Sequence, residues 1–385
     1  MIRFLTAGES HGPCLTAIIE GFPAGVPLEL DALNHELGRR QQGYGRGGRM
    51  AIERDQIQIT AGVRFGVTLG SPMALTIDNR DWGNWQERMA IWGPEAGEVM
   101  TAPRPGHADL SGGLKYSHND LRNVLERASA RETAARVAIG ALCKQLLRQC
   151  EVDLVSYVSA IGRAEASDPP SFDIQRLREL TERSPVRCPD PVAEKAMVAA
   201  IDVARERGDS LGGVFSVLVS GLVPGLGSHV HWDRRLDGRL AQTLMSIPAI
   251  KGVEVGAGFN AATIMGSELH DPIYHDQSRG YFRTTNSAGG LEGGITTGQP
   301  LVLRAAMKPI ATLRKPLASV DMATHQPVDA SRERSDTCAV PAAAVVGEAV
   351  VAIELTNAYL EKFGGDTLDE LLSSLNRYRE QLAQR

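Results

Sequence analysis

Alternating hydrophobic and polar positions mark several short stretches of this chain. Such alternation is the pattern of a strand with one buried and one solvated face. Turns that contain glycine or proline separate the stretches from one another. Strands are therefore predicted at residues 2–8, 15–20, 56–61, 213–220 and 301–307.

Other stretches repeat hydrophobic residues with the period of an α-helix. Asp31 is placed to cap the first of these helices, and the C-terminal one is amphipathic, as a packing element would be. Residues 159–189 are richer in proline, serine and charge, which indicates a peripheral segment. Helices are predicted at residues 31–40, 130–146, 190–207, 234–245, 340–363 and 366–384.

The predicted helix at 130–146 has a marked beginning. Ser129 and Glu132 match the Ser-x-x-Glu capping box, so the helix should start at Ala130 with Arg131 in its first turn. A helix N-terminus is already positive, so the added charges of Arg127 and Arg131 cause repulsion there. A bound anion would offset that electrostatic cost. A solvated basic turn is the alternative. The alanine-rich run that follows is typical of a tightly packed central helix and favours the anion site.

Two patterns of the first part of the chain return later in the same order. Residues 62–72 and 290–300 share the form Gly-x-x-x-Gly-[Val/Ile]-Thr-x-Gly-x-Pro, and Arg127-Ala-Ser precedes one long helix as Arg334-Ser-Asp precedes the other. Chance could supply one such match in a chain with 40 glycines. Two matches predict a single α+β domain built from two similar halves, approximately 1–150 and 210–365, with a ligand between them.

Composition narrows the class of protein. The 385 residues are 43% hydrophobic, enough for a full core, and the net charge of -5 argues against nonspecific nucleic-acid binding. Five cysteines without a Cys-x-x-Cys pair indicate free thiols in a reducing cytoplasm and no structural metal. No signal segment is recognised, and no apolar run is expected to reach the length of a membrane span.

The candidate chemistry lies in arginines and in histidines beside glycines. Residues 39–49 carry four arginines among glycines, which predicts a mobile lid over a small polyanion, although RNA-binding tails have a similar composition. His11 and His107 could protonate a leaving anion, and Asp336 could accept a proton. No Walker loop, dinucleotide fingerprint or metal-ligand cluster accompanies them. The residues favour a lyase or transferase acting on a small phosphorylated acid.

Several motifs in the chain are those of one enzyme family. Taken together and in this order, they make the chain resemble the chorismate synthase family along nearly its whole length. The motifs are Gly-Glu-Ser-His-Gly at 8–12, Arg-Pro-Gly-His-Ala-Asp at 104–109, Arg-Ala-Ser-Ala-Arg-Glu-Thr-Ala-Ala-Arg at 127–136, Lys-Gly-Val-Glu-Val-Gly at 251–256, Met-Lys-Pro-Ile-Ala-Thr at 307–312 and Arg-Ser-Asp at 334–336.

The resemblance implies a substrate, a cofactor and a fold. The substrate would be 5-enolpyruvylshikimate 3-phosphate, which loses phosphate and a ring proton by 1,4-anti elimination to give chorismate. The cofactor would be reduced FMN, required although no net redox change occurs. The family's fold is a β-α-β sandwich, with long central helices between antiparallel sheets, assembled as a homotetramer.

The resemblance also assigns roles to residues by position. His11 would protonate the leaving phosphate, His107 would lie at the flavin, and Asp336 would help the flavin to remove the ring proton. Related sequences often have Asn or Gln where this chain has Pro248, so the resemblance implies that a polar flavin contact would be missing there. FMN would contact Arg127, Ala128, Ser129, Ala249, Gly293, Lys308, Pro309, Ile310, Ala311, Thr312 and Arg334. The substrate's phosphate and carboxylates would be held by Ser10, Arg40, Arg46, Arg49, Arg104 and Arg131, of which Arg40 and Arg46 are also linked to NADP.

Two other classes stay open from the sequence. A flavin-dependent oxidoreductase acting on a small phosphorylated acid would need an electron-acceptor site. A nucleic-acid-binding module would need the arginine-rich run at residues 39–49 to dominate binding, and its affinity for a polynucleotide would depend steeply on salt concentration. The family-sized chain leaves no spare domain for nicotinamide, which predicts the monofunctional type, dependent on an external flavin reductant.

Overall fold

The computed structural model describes residues 1–47, 53–94, 96–167, 173–277, 280–333 and 335–384. Helices account for 38% and strands for 22%, so the predicted mixture of helix and strand is confirmed.

The first part of the chain forms a four-stranded antiparallel sheet in the order β1-β2-β6-β3 and a small hairpin of β4 with β5. Hydrophobic side chains of β2 and β6 alternate between buried and less buried positions, as predicted for a half-buried sheet. The strands are β1 Arg3–Ala7, β2 Cys14–Glu20, β3 Gln58–Ala61, β4 Val63–Arg64, β5 Val67–Thr68 and β6 Met73–Asp78.

The second part forms a five-stranded antiparallel sheet in the order β10-β15-β9-β7-β8 and three small hairpins, β11-β12, β13-β14 and β16-β17. The strands are β7 Asp153–Ile161, β8 Ala164–Glu165, β9 Gly213–Ser220, β10 Ile250–Val255, β11 Ile273–Asp276, β12 Gly280–Arg283, β13 Leu291–Glu292, β14 Ile295–Thr296, β15 Leu301–Met307, β16 Ala318–Val320 and β17 Pro327–Asp329.

Most of the long helices lie where the hydrophobic period predicted them, with ends that differ by at most three residues. The helices are α1 Leu30–Gln41, α2 Asp109–Tyr116, α3 Arg122–Ala128, α4 Thr133–Gln149, α5 Ile174–Arg183, α6 Pro191–Glu206, α7 Leu236–Met245, α8 Gly266–Leu269, α9 Val340–Phe363 and α10 Leu368–Ala383.

Helices α4 and α9 pack against each other at the centre of the molecule. Helix α4 also contacts β2 and β6, and α9 contacts β7 and β9, so the pair joins the two sheets. Gly140 allows a close approach of the two helices, because a Cβ added there would overlap the Cβ of Ala349. Most side chains of both helices are buried.

Helix α9 is long and apolar enough to cross a membrane, by length and composition. The expectation that no apolar run reaches that length is therefore wrong. Of its most apolar window, 89% is buried inside the protein, which is the position of a core helix. No other helix among the described residues passes this length and hydropathy test.

The two sheets have matching strand orders, because β1-β2-β6-β3 corresponds to β7-β9-β15-β10. The threonines of the repeated glycine pattern make the same bonds. The hydroxyl of Thr68 donates to the carbonyl of Pro23 at 2.6 Å, and that of Thr296 donates to Val223 at 2.7 Å. These equivalences agree with two similar halves, whose bounds, approximately 1–150 and 210–365, stay a prediction.

Two predicted helix beginnings are wrong in detail. Glu29, not Asp31, precedes the first residue of α1, and Asp31 lies within its first turn. The capping box does not form, because Ser129 accepts a hydrogen bond from the backbone of Arg131, whereas Glu132 binds Arg136 at 2.8 Å. Residues 130–132 form a 3-10 turn, and the α-helix starts three residues later than predicted.

Candidate active site

A cavity of about 540 Å³ lies at the N-terminal ends of the two central helices. The turn before α4 and the first two turns of α9 form part of its wall, which brings together the two helix starts that the repeat singled out. Of the predicted site residues, the cavity is lined by Ser10, His11, Arg40, Arg46, Arg104, His107, Ala128, Ser129, Arg131, Ala249, Lys308, Pro309, Ile310, Ala311, Thr312 and Asp336.

His11 lies in the loop between β1 and β2 and is held by Glu126 of α3. Its Nδ1 lies 2.9 Å from Glu126 Oε1, and its backbone N–H donates to Oε2 at 2.7 Å. The imidazole stacks on the ring of Trp85, with centroids 4.0 Å apart. Both the position and the plane of the ring are therefore determined by neighbouring side chains.

His107 belongs to a second group of charges at the start of α2. Its Nδ1 lies 2.6 Å from Asp109 Oδ1, and the guanidinium of Arg104 donates to Oδ2 of the same carboxylate at 2.8 Å. Although burial favours its neutral form, hydrogen bonds from His107 and Arg104 hold the pKa of Asp109 far below its ordinary value. Nδ1 of His107 also lies 3.0 Å from Nη2 of Arg104, so it is placed between a carboxylate that accepts and a guanidinium that donates.

Arg40 projects from the last turn of α1 onto the cavity wall. Its Nε donates to the hydroxyl of Thr133 and its Nη2 to the carbonyl of Ala130, each at 2.9 Å. Nη1 is buried 3.6 Å from Asp55 and has no hydrogen-bond partner among the described residues. Burial lowers the pKa of this guanidinium to about 10, so it is still charged at neutral pH.

Arg131 lies beside Arg40, and its side chain is bound by protein acceptors. Nη1 donates to both oxygens of Asp55, at 2.6 and 2.7 Å, and Nε donates to Asn79 at 2.8 Å. Arg131 and Asp55 are each nearly fully buried. Arg131 therefore supports the wall of the cavity in addition to contributing positive charge.

Replacing Arg131 with alanine is expected to affect binding and folding together. Loss of a charged hydrogen bond should weaken binding of a phosphorylated ligand by roughly 1.5–3 kcal/mol. Leaving a buried carboxylate of Asp55 less well paired should lower the free energy of unfolding by about 1–3 kcal/mol. Titration calorimetry and urea unfolding measure the two effects separately. Unchanged affinity with a large loss of stability would assign Arg131 to the structure alone.

Asp336 lines the same cavity and lies just before α9. Its Oδ2 lies 2.7 Å from Nη1 of Arg46, and its Oδ1 accepts the backbone N–H of Gly47 at 2.6 Å. The carboxylate predicted to take part in proton removal is thus bound to the arginine-rich segment in this structure. An anion that draws Arg46 away would also release Asp336 from its ion pair.

The predicted flavin-contact segment at residues 308–312 follows β15 and borders the cavity. The amine of Lys308 donates to the carbonyl of Gly106, and its backbone N–H donates to Ala249 at 2.9 Å. Ala249 has a φ of 71°, a left-handed conformation that is uncommon outside glycine. Such strained positions concentrate at ligand sites, and this one places a small side chain on the wall.

Two predicted flavin contacts lie away from this cavity. The guanidinium of Arg127 is exposed and donates to the carbonyls of Thr6 and Gly8, at 2.7 and 3.2 Å. Gly293 is exposed in the two-residue turn between β13 and β14, where both residues have positive φ. Their contact with FMN stays a prediction. Arg49 and Arg334 lie outside the described residues.

Several residues that organise the site were not singled out from the sequence. Asp109 and Glu126 could have been found from the sequence, since each lies in or beside a recognised motif. No sequence signal marks Asp55 or Trp85. Asp55 binds Arg131, which lies 76 positions further along the chain, and Trp85 contacts His11 from a separate loop.

The chain is similar to known proteins over its full length. The family model described as chorismate synthase matches residues 2–360. The chorismate synthase of Moorella thermoacetica is 62% identical over 384 residues, and that of Desulforamulus reducens is 58% identical over 387. These alignments cover 99% and 100% of each chain, respectively. A solved chorismate synthase structure covers 100% of this chain and 99% of its own, with a TM-score of 0.82 and 46% identity. The chain therefore belongs to the chorismate synthase family.

Proposed function

We propose that this protein converts 5-enolpyruvylshikimate 3-phosphate to chorismate and phosphate by 1,4-anti elimination, as a carbon–oxygen lyase of the shikimate pathway. The observation that carries the proposal is one cavity in which His11 and Asp336 lie among buried arginines. A substrate with a phosphate and two carboxylates matches that surplus of positive side chains.

The cations of the wall would bind the substrate. Arg40 is buried and already fixed through two of its nitrogens, so the remaining Nη1 loses little freedom when it binds an anion. Arg46 would exchange Asp336 for a substrate oxyanion. Ser10, Arg49, Arg104 and Arg131 complete the proposed set, and Arg40 with Arg46 is also proposed to accept an NADP phosphate.

The chain's own groups would move two protons. The ring C–H bond breaks and its electron pair forms a new double bond, the existing ring double bond shifts by one position, and the C–O bond breaks with its electron pair leaving on the phosphate. His11 would donate a proton to the leaving phosphate. Asp336, once released from Arg46, would help to take the ring proton. His107, held by Asp109, would position the cofactor.

The family uses reduced FMN, and the residues present fit it. The wall combines small alanines at 128, 249 and 311 with the donors Ser129, Lys308 and Thr312, which suits a flat ring with polar edges. Pro309 and Ile310 would complete this contact, and Arg127, Gly293 and Arg334 are proposed contacts outside the cavity. When bound, reduced FMN would lend an electron to the substrate and take it back, so no net redox change would occur.

The finer architecture is also a proposal. The contacts of α4 with the first sheet and of α9 with the second support a β-α-β sandwich with a central helical layer. A homotetramer in the cytoplasm, supplied with reduced flavin by another protein, is proposed from family membership.

An anaerobic assay with substrate and oxidised FMN tests the proposed function and the need for an external reductant. We expect phosphate and chorismate to form when dithionite is added and not when NADPH is added, because Arg40 and Arg46 could hold an NADP phosphate without placing the nicotinamide ring against the flavin. Chorismate formation with NADPH and purified protein alone would refute the monofunctional assignment. Steady oxidation of dithionite-reduced FMN coupled to a reduced product would instead support the oxidoreductase alternative.

A further inference from the structure

Glu126 binds His11 through three contacts. The backbone N–H of His11 donates to Oε2 at 2.7 Å, and the imidazole Nδ1 lies 2.9 and 3.0 Å from the two carboxylate oxygens. Glu126 is only 2% exposed, so water screens these contacts weakly. A carboxylate this close accepts a hydrogen bond from Nδ1–H, whichever charge the ring carries.

Trp85 and Arg122 complete the surroundings of this pair. Trp85 stacks on the imidazole at an interplanar angle of 25°, and the guanidinium carbon of Arg122 lies 5.0 Å from the centroid of the indole. Arg122 also donates to Glu126 at 3.1 Å and to Glu333 at 2.9 Å. These contacts hold the carboxylate and the ring in one relative orientation.

We infer that Glu126 is a positioning residue that keeps the proton on Nδ1 of His11, directs the opposite nitrogen, Nε2, to proton transfer, and stabilises the imidazolium. The inference deepens the proposed function and rests on it only for the identity of the proton acceptor. The arrangement of carboxylate and imidazole stands on the geometry alone.

The charges around His11 act in opposite directions. Glu126 favours the imidazolium, and so does the carboxylate of Glu9 in the same loop as His11. The cations of the cavity wall, Arg104 and Arg131, disfavour it, as does Arg122 behind Trp85. The Glu126 carboxylate is in direct contact with the ring, and Coulomb interactions weaken with distance. Although burial opposes ionisation, hydrogen bonds from His11 hold the pKa of Glu126 below its ordinary value of 4.5, so it carries its charge at neutral pH.

Substitution of Glu126 with glutamine is expected to lower the pKa of His11. Glutamine keeps the size and an acceptor oxygen but removes the charge. Histidine-edited ¹⁵N–¹H NMR titration of the free protein, with the His11 signal assigned from a His11→Gln sample, measures that pKa and the neutral tautomer. We expect a wild-type Nδ1–H tautomer and a fall of about one pH unit or more in Glu126→Gln, a tenfold change in the ionisation constant.

Two further variants separate charge from structure. Glu333→Gln removes the other carboxylate bound to Arg122 without touching His11, and should leave the His11 titration near that of the wild type. Glu126→Asp restores the charge and should return part of the shift. An Nε2–H tautomer in the wild type, or an unchanged His11 pKa in a folded Glu126→Gln protein, would overturn the inference.

The pH dependence of turnover then connects the pair to the reaction. In Glu126→Gln the limb of the kcat profile that requires protonated His11 should move to lower pH, with KM changed less than kcat. A merely structural role would lower activity at every pH without moving the limb, and that result would also contradict the inference. Because the NMR titration uses no substrate, a supported His11–Glu126 pair with no chorismate formation would reject the proposed function alone.

Discussion

Replacement of His11 with alanine is expected to lower turnover by about 100-fold or more, the usual contribution of a positioned proton donor. The ring lies on the cavity wall, and Glu126 and Trp85 hold it in place, so water cannot take over its position with the same geometry. His107 lines the same cavity and is held by Asp109, and His107→Ala should cause a loss of similar size if it also transfers a proton in the limiting step.

The measurement is kcat under anaerobic conditions with reduced FMN, together with circular dichroism to verify folding. His35→Ala is the matched control, because His35 is exposed on α1 and does not line the cavity. Its turnover should stay near that of the wild type. Near-normal turnover in His11→Ala or His107→Ala would remove that residue from the catalytic set.

Replacement of Glu348 with glutamine is expected to cause the largest loss of stability, about 3–5 kcal/mol of unfolding free energy, as for a broken buried ion pair. Glu348 is 1% exposed in the middle of α9. It accepts hydrogen bonds from Arg39 at 2.8 and 2.9 Å and from Lys144 at 2.5 Å. It also accepts the backbone N–H and hydroxyl of Ser156, at 2.7 and 2.6 Å. Glutamine would leave the two buried cations short of a counter-charge.

This loss should depend on pH. Although burial opposes ionisation, Arg39 and Lys144 hold the pKa of Glu348 well below its ordinary value of 4.5. A carboxylate whose pKa is lowered by folding stabilises the native state above the unfolded pKa, and the contribution is lost as pH falls toward the folded value. The stability difference between wild type and Glu348→Gln should therefore be full at pH 7 and should narrow below about pH 4.5.

Urea unfolding at several pH values measures this difference. Glu179→Gln provides the control, because Glu179 forms an exposed pair with Arg176 at 3.4 Å. That substitution should change stability by no more than about 0.5 kcal/mol. Equal effects of the two substitutions at pH 7 would contradict the role assigned to the buried cluster.

Strong local patterns predicted the elements well. The bounds of β9, β15 and α9 agree with the predicted 213–220, 301–307 and 340–363, because long hydrophobic runs of one period leave few alternatives. The start of α4 was wrong because Glu132 has a better partner in Arg136, one turn further along the same face. A capping motif in the sequence indicates which hydrogen bonds are available at a helix start, but it does not determine which of them form.

The sequence patterns could not predict ion pairs between residues that lie far apart along the chain. Arg187 lies in the segment predicted to be peripheral, yet it is buried 3.6 Å from Glu348. Arg39 was predicted as part of a flexible lid, but its guanidinium is held by Glu36, Glu182 and Glu348. An exposed arginine and a buried, paired one look the same in a sequence, because burial and most of the partners come from distant parts of the chain.

The sequence by itself determined the class of the elements, the repeated glycine pattern, the resemblance to one family and most of the residues that meet in the cavity. These follow from local periodicity and from short motifs, which need no knowledge of distant neighbours. Only the tertiary structure decided which side chains bind those residues and which of the residues line the cavity. Glu126 holds His11, Asp109 holds His107 and Asp55 holds Arg131, while Arg127 and Gly293 lie away from the cavity. The physical reason is that hydrogen bonds and ion pairs depend on separations of about 3 Å, which folding alone creates between distant parts of the chain.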